Sequence, residues 1–164
     1  MKNKKTELFD SLHQDYFAMV LQMCLGFVSG DKDKANDLSQ EVFIKVWTHL
    51  DSFKGLSSYK TWIYRITVNT CLQLIRKEKK NNSVSLNDYS HSVEEESQQD
   101  RDESVAELYH AIGQLKETER LIIIMVLEGQ SNEDIAEVLG LEHTTVRVKI
   151  HRIKKKLNKI LKNG

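Results

Sequence analysis

Apolar residues recur at three- and four-residue intervals along most of this 164-residue chain, which is the spacing of amphipathic helices. From residue 6 to 28, Leu8, Phe9, Leu12, Tyr16, Val20, Met23, Cys24 and Phe27 make one stripe. Gly30 and Asp31 break it, and Asp33 is placed to cap a second helix running to about Leu50. There Ala35, Leu38, Val42, Val46 and Leu50 form the inner face. A loop over 51–58 precedes a third helix from about Tyr59 to Lys80, with Trp62, Ile63, Ile66, Thr70 and Leu74 inside. Three helices of this length can close a small bundle. No strand pattern stands out, and Pro is absent, so only Gly and polar runs interrupt the helices.

The pattern stops over residues 81–103, which are polar, acidic and poor in periodic apolar positions. Such a segment buries too little to offset its ordering entropy, so a flexible linker is expected. A second helical unit follows over 104–164. Val105, Leu108, Ile112 and Leu115 come first, then the run Ile122–Leu127, which could pass for a strand. Its polar lead-in, Glu117-Thr118-Glu119-Arg120, favours a buried helix. Ser131 with Asp134 three residues on reads as a capping box opening a short helix with Ile135, Ala136 and Leu139 on one face. Gly140 can supply the left-handed turn. A last helix then carries Val146, Ile150, Ile153 and Leu157 on its apolar side.

Charge changes this picture. The net charge is zero, but residues 1–80 hold 13 Lys/Arg against 9 Asp/Glu, residues 81–120 hold 3 against 10, and residues 121–164 hold 8 against 5. Two basic ends flank an acidic middle, and the local field is what a nucleic acid meets. The last helix has Arg147, Lys149, Arg152, Lys154, Lys155 and Lys156 opposite its apolar stripe. Such a helix after a tight turn suits a major groove, with a merely solvated basic helix as the alternative. In the third helix, Tyr59, Trp62 and Tyr64 interleave with Lys60 and Arg65. Aromatic rings stack on unpaired bases while cations follow the backbone, and Asn69 can both donate to and accept from a base edge. Trp62 taken alone is better read as a core anchor. In the second helix, Phe43 and Trp47 flank a polar side of Asp37, Gln40, Glu41 and Lys45. That is either a protein-docking face or two more core aromatics.

Other classes lose support. No stretch approaches the ~20 apolar residues of a membrane span. The basic N-terminus leads into Glu7, Asp10 and His13, so a cytoplasmic protein without membrane insertion is expected. Cys24 and Cys71 fall in apolar patterns and read as buried reduced thiols. The six His show no ligand spacing, and there is no phosphate-binding Gly loop. No cofactor, metal or catalytic residue is expected, and the chain reads as non-enzymatic.

Three segments in order carry a family resemblance. Asp37-Leu38-Ser39-Gln40-Glu41-Val42-Phe43-Ile44-Lys45-Val46-Trp47 resembles region two of bacterial sigma factors, and Tyr59–Asn69 resembles the promoter-melting segment after it. The C-terminal helix-turn-helix resembles region four. The short layout is similar to the extracytoplasmic-function (ECF) group of the sigma-70 family. The resemblance implies an all-α chain: a region 2 bundle over 1–80 and a region 4 domain over 104–164, joined by the acidic linker of 81–103. It implies a transcription initiation factor that binds core RNA polymerase and directs it to promoters.

The resemblance also assigns residues. Asp37, Gln40, Glu41, Lys45 and Trp47 would grip the polymerase. Loop 53–58, with Lys54, Ser57 and Ser58, would hold a base flipped from the minus-ten element, beside Tyr59, Lys60, Trp62, Tyr64, Arg65 and Asn69. Arg76 and Lys77, with Lys79 and Lys80, would hold duplex phosphates. At the minus-thirty-five element, Arg147, His151 and Arg152 would read bases, with Thr144, Thr145 and Val148 beside them. Lys149, Lys154 and Lys155 would touch phosphate. Glu142 and Lys116 depart from the family, which often has a Ser-type cap and a Pro there, so those helix starts are open. The linker, with Glu94, Glu95 and Glu96, would thread the polymerase cleft. An anti-sigma factor is an implied partner, and the free chain is expected as a monomer, or one-to-one with that partner, able to collapse on itself. A stand-alone dimeric helix-turn-helix operator binder is the alternative, but it leaves the second and third helices unexplained.

Overall fold

The computed structural model describes residues 3–81 and 99–163, and every regular element there is a helix. Helix α1 spans Lys4–Phe27 and ends where Ser29 and Gly30 both take positive φ (60° and 87°), letting the Gly30 amide reach the Leu25 carbonyl at 2.8 Å. Helix α2 spans Lys32–His49 and is capped by Asp31, not Asp33, because the Asp31 carboxylate accepts from the Lys34 amide at 3.1 Å. Both acids suit a cap, and only the register of the turn chooses between them. A single 3-10 turn, Leu50–Ser52, leads into the loop before α3, Tyr59–Asn81. Ser58 caps α3, its hydroxyl accepting from the Thr61 amide at 3.1 Å.

The second half comprises α4 (Gln99–Gly113), α5 (Glu117–Leu127), α6 (Asn132–Leu139) and α7 (His143–Asn163). Helix α3 runs through Asn81, and α4 begins at Gln99. Residues 82–98, including Glu94–Glu96, lie outside the described residues. Val105, expected inside, is exposed.

Helices α1, α2 and α3 pack as a bundle around Val20, Met23, Cys24, Phe27, Ala35, Val42, Val46 and Ile63, all buried. Cys24 and Cys71 are free and buried there. The hydrogen bond between them, together with burial, pushes the Cys71 thiol well above its ordinary pKa. The strand-like run is indeed a helix. In α5, Leu121 through Met125 are all buried, as a helix apolar on every side must be. It meets α1 and α6 as well as α4 and α7.

The two halves thus share one apolar core. Gly26 of α1 is a close approach, since a Cβ there would stand 2.5 Å from Ile124 Cδ1. Arg120 of α5 locks the corner. Its guanidinium donates to the carbonyls of Leu115 (2.9 Å), Gly113 (2.7 Å) and Phe27 (3.3 Å), which lie at the C-terminal ends of α4 and α1. Cations are favoured at such ends. Burial pulls the Arg120 pKa down, with Glu117 opposing. The Tyr109 hydroxyl reaches Gln22 Oε1 at 3.1 Å, and Lys79 pairs with Glu117 at 3.4 Å.

Candidate nucleic-acid interface

The turn between α6 and α7 is built from local rules. The Ser131 hydroxyl accepts from the Asp134 amide at 3.1 Å, and Gly140 takes φ 66°, placing the Leu141 amide 3.0 Å from the Ala136 carbonyl. Ile135, Ala136 and Val138 are buried and Leu139 is half-buried, so Val138 takes part of the place expected of Leu139. In α7 the buried side is Val146, Ile150, Ile153 and Leu157. That leaves Thr144, Thr145, Arg147, Val148, Lys149, His151, Arg152 and Lys155 exposed. Thr144, Thr145, Val148, Lys149 and Arg152 line one shallow surface notch. One cation is tied inward: Lys156 pairs with Glu119 at 3.0 Å. Glu119 also accepts from the Lys116 amide at 3.2 Å, which starts α5 without a Pro. Glu142 precedes α7 and is exposed.

On α3 the arrangement is different. Lys54, Asn69, Arg76 and Lys77 are exposed. Ser58 is occupied as the cap, and Ser57 and Lys60 are half-buried. Tyr59 and Trp62 are half-buried and pack with Phe53: the Phe53 ring stacks on Tyr59 at 4.3 Å and lies 5.1 Å from Trp62. Tyr64 is buried at 1% exposure, and its hydroxyl has no hydrogen-bond partner. Burial first, then the carboxylates of Glu128 and Asp134 from the second half, push its phenol well above the ordinary value. Arg65 donates to the Glu137 carbonyl of α6 at 2.8 Å. Tyr64 is thus buried and Arg65 half-buried against the second half in this arrangement.

Helix α2 presents a third face. Asp37, Gln40 and Trp47 are exposed, and Glu41 is partly so. Phe43 resolves as core at 5% exposure, within ring contacts to Phe9 and His13 (6.3 and 4.6 Å). Trp47 is intermediate in character: 39% exposed, with one edge on Phe9 at 5.3 Å and the Lys5 ammonium 4.3 Å from its ring. Lys45 is held inward by Gln73 at 2.7 Å and Thr70 at 3.2 Å. Sequence reasoning missed Ile44, which is 64% exposed between Gln40 and Trp47. Its signal was available, because it falls out of phase with Val42 and Val46. Phe53 and Leu56 were missed as well, as apolar residues inside a Gly/Ser-rich loop.

The two halves that carry these faces match known families. Residues 8–81 match the sigma-70 region 2 family, and residues 106–157 match sigma-70 region 4. The chain is 32% identical to the RNA polymerase sigma-H factor of Pseudomonas aeruginosa, over 93% of this chain and 86% of that protein. The chain belongs to the sigma-70 family. Its other relatives place it in the ECF group of this family of transcription initiation factors. ECF RNA polymerase sigma factor SigX of Bacillus subtilis is 29% identical over 93% of this chain and 80% of its own length. SigW of the same species is 27% identical over 99% of this chain and 94% of its own. Two solved structures share the fold. The sigma factor RpoE of Bartonella quintana, crystallised with the anti-sigma factor NepR, superposes with a TM-score of 0.75 at 24% identity, covering 94% of this chain and 96% of that one. CnrH, in complex with the cytosolic domain of CnrY, gives 0.70 at 23% identity over 94% and 88%. Among the described residues no helix is long and apolar enough to cross a membrane, and no cluster of His, Cys, Asp and Glu could hold a metal.

Proposed function

We propose that this sigma factor divides its work among the three faces. Helix α2 docks core RNA polymerase through Asp37, Gln40, Glu41 and Trp47, with Ile44 supplying the apolar centre that charged side chains alone lack. Lys45 acts there as a brace to α3. Helix α7 reads the minus-thirty-five element as duplex, with Arg147, His151 and Arg152 meeting base edges. Lys149 and Lys155 meet phosphate, which positions without specifying. The loop before α3, with Asn69, Arg76 and Lys77, meets the minus-ten element. Tyr64 and Arg65 join only once α6 has moved away. The chain does no catalysis of its own, acts in the cytoplasm beside the polymerase, and is held by an anti-sigma factor of the kind seen with its structural neighbours.

The observation that carries this reading is the bare face of α7. Among the described residues, none of its candidate base readers has an internal hydrogen bond or ion pair, and they stand opposite the buried stripe of Val146, Ile150, Ile153 and Leu157. Run-off transcription from a cognate promoter is expected only when this chain and core polymerase are both present. Tight promoter binding by the chain alone would favour the operator-binding alternative. Arg147→Ala and Arg152→Ala should each cost about 1–3 kcal/mol at the base position they read and little elsewhere. Equal losses on all sequences would reassign them to phosphate.

A further inference from the structure

Trp47 stands on the face of α2 assigned to polymerase, and its ring is held by side chains of α1. The Asn3 side chain caps that helix, accepting from the Lys5 amide at 3.5 Å, which sets Lys5 in the first turn. Lys5 and Phe9 are four residues apart and so share one side of α1. Both reach Trp47. The Lys5 ammonium lies 4.3 Å from the centre of its ring, and Phe9 meets it at 5.3 Å with 83° between planes. The same ammonium donates to Asp51 Oδ2 at 2.9 Å, in the 3-10 turn that follows α2. One cation thereby links the start of α1 to the Trp47 ring and to the turn beyond it.

Stability accounts poorly for a cation at this position. The helix dipole opposes positive charge in a first turn. The Asp51 carboxylate is 74% exposed, so solvent screens the ion pair, although the Lys5 side chain itself is only 23% exposed. What the arrangement does supply is direction. Trp47 is 39% exposed, and a ring that far out can turn among its χ1 wells unless something holds it. Every orientation other than the docking one lowers the fraction of chains ready to bind. We infer that Lys5 is a positioning residue for polymerase docking: it acts through the Trp47 ring, keeping it against Phe9 in the orientation that the polymerase receives. The inference rests on the reading of α2 as the docking face and adds to it a residue of α1 that the α2 segment does not contain.

The test measures the affinity of the full chain for core polymerase by fluorescence anisotropy of a label at the C-terminus. Lys5→Met keeps the length of the side chain and removes its charge. It should weaken binding roughly threefold, as expected when one held orientation becomes one of about three. Lys5→Arg keeps a cation over the ring and a donor for Asp51, so it should bind like the parent. The deciding arm is a double-mutant cycle. Trp47→Leu alone should weaken binding on the order of tenfold or more, and Lys5→Met should cost nothing further in that background. Parental affinity in Lys5→Met, no recovery in Lys5→Arg, or a Lys5→Met deficit that persists without the ring would each overturn the positioning role. A Trp47→Leu variant that binds as tightly as the parent would overturn the docking reading of α2 instead, and the positioning role with it.

Discussion

On α7, Arg147, Val148, His151 and Arg152 stand in solvent, whereas on α3 Tyr64 is in the core and Arg65 is bound to the α6 backbone. Both helices carry cations and candidate base readers, so composition does not separate them. What separates them is the number of apolar stripes. The α7 stripe is used up against its own module, and the opposite face is left over. Helix α3 has one stripe for α1 and α2 and a second patch around Tyr64 that the other module covers. One DNA-facing helix is therefore ready as folded, and the other is partly masked by the chain's own second half.

The masking rests on contacts of α1 and α3 with α4, α5 and α6 that single substitutions can weaken. Arg120→Ala should have the largest effect. It removes charge-assisted bonds to three carbonyls, some of which are buried at the α1–α5 corner, at a cost of about 3 kcal/mol. Calorimetry should show a lowered Tm, and scattering should show the halves loosened. An unchanged Tm would mean that water replaces the guanidinium without loss. Gly26→Val comes next, at about 1–3 kcal/mol, because its side chain must displace Ile124. The radius of gyration should rise and Arg65 should become available to DNA, while affinity for an upstream duplex through α7 stays the same. A lowered Tm with unchanged scattering would mean that α1 and α5 have repacked in place.

The same contrast explains what could be read from the sequence. The α6–α7 unit was legible almost residue by residue, because Ser131, Gly140 and the Val146–Leu157 stripe form a local code that needs no distant partner. Helix α5 was legible for a related reason: seven consecutive apolar residues behind a polar start fit a buried helix, although nothing local said that α1 was one of its neighbours. The covering of Tyr64 and Arg65 was not legible, because the α6 residues that approach them, including Glu137 whose carbonyl takes the Arg65 bond, lie about seventy positions away, and one amphipathic period cannot report a second contact. Tyr59 and Trp62 show that aromatic–cation interleaving has two solutions, a base-stacking face and an internal cluster, and the rings of Phe53, Tyr59 and Trp62 do touch one another.

Tyr64→Phe sharpens the comparison at lower energy. The hydroxyl is buried without a partner, and such a group costs stability, so its removal should be neutral or stabilising by about 1 kcal/mol. The pH dependence carries a definite sign. The folded phenol has a raised pKa, so it holds its proton more tightly than the unfolded chain does. That stability is intact below the ordinary phenol value of 10.0 and is lost as pH climbs above it. Thermal melts between pH 8 and 11 should show a shallower alkaline decline for Tyr64→Phe than for the parent. Equal slopes would place Tyr64 in water, and the masked face of α3 with it.

The smallest effect is expected at Lys79 and Glu117, although their pair also joins α3 to the second half. The ammonium is 72% exposed and the contact is 3.4 Å, so solvent and salt screen it, and Lys79→Ala should cost less than about 1 kcal/mol. The Glu117 carboxyl has a lowered pKa chiefly through its own backbone amide at the start of α5, with Lys79 contributing less. Its contribution to stability is therefore present above the ordinary carboxylate range and lost as pH falls through the lowered value, and the amide should preserve most of that dependence in Lys79→Ala. A large loss in this variant, growing at low salt, would mean that closure is electrostatic. Ionic strength would then control the exposure of α3 and leave α7 as it is.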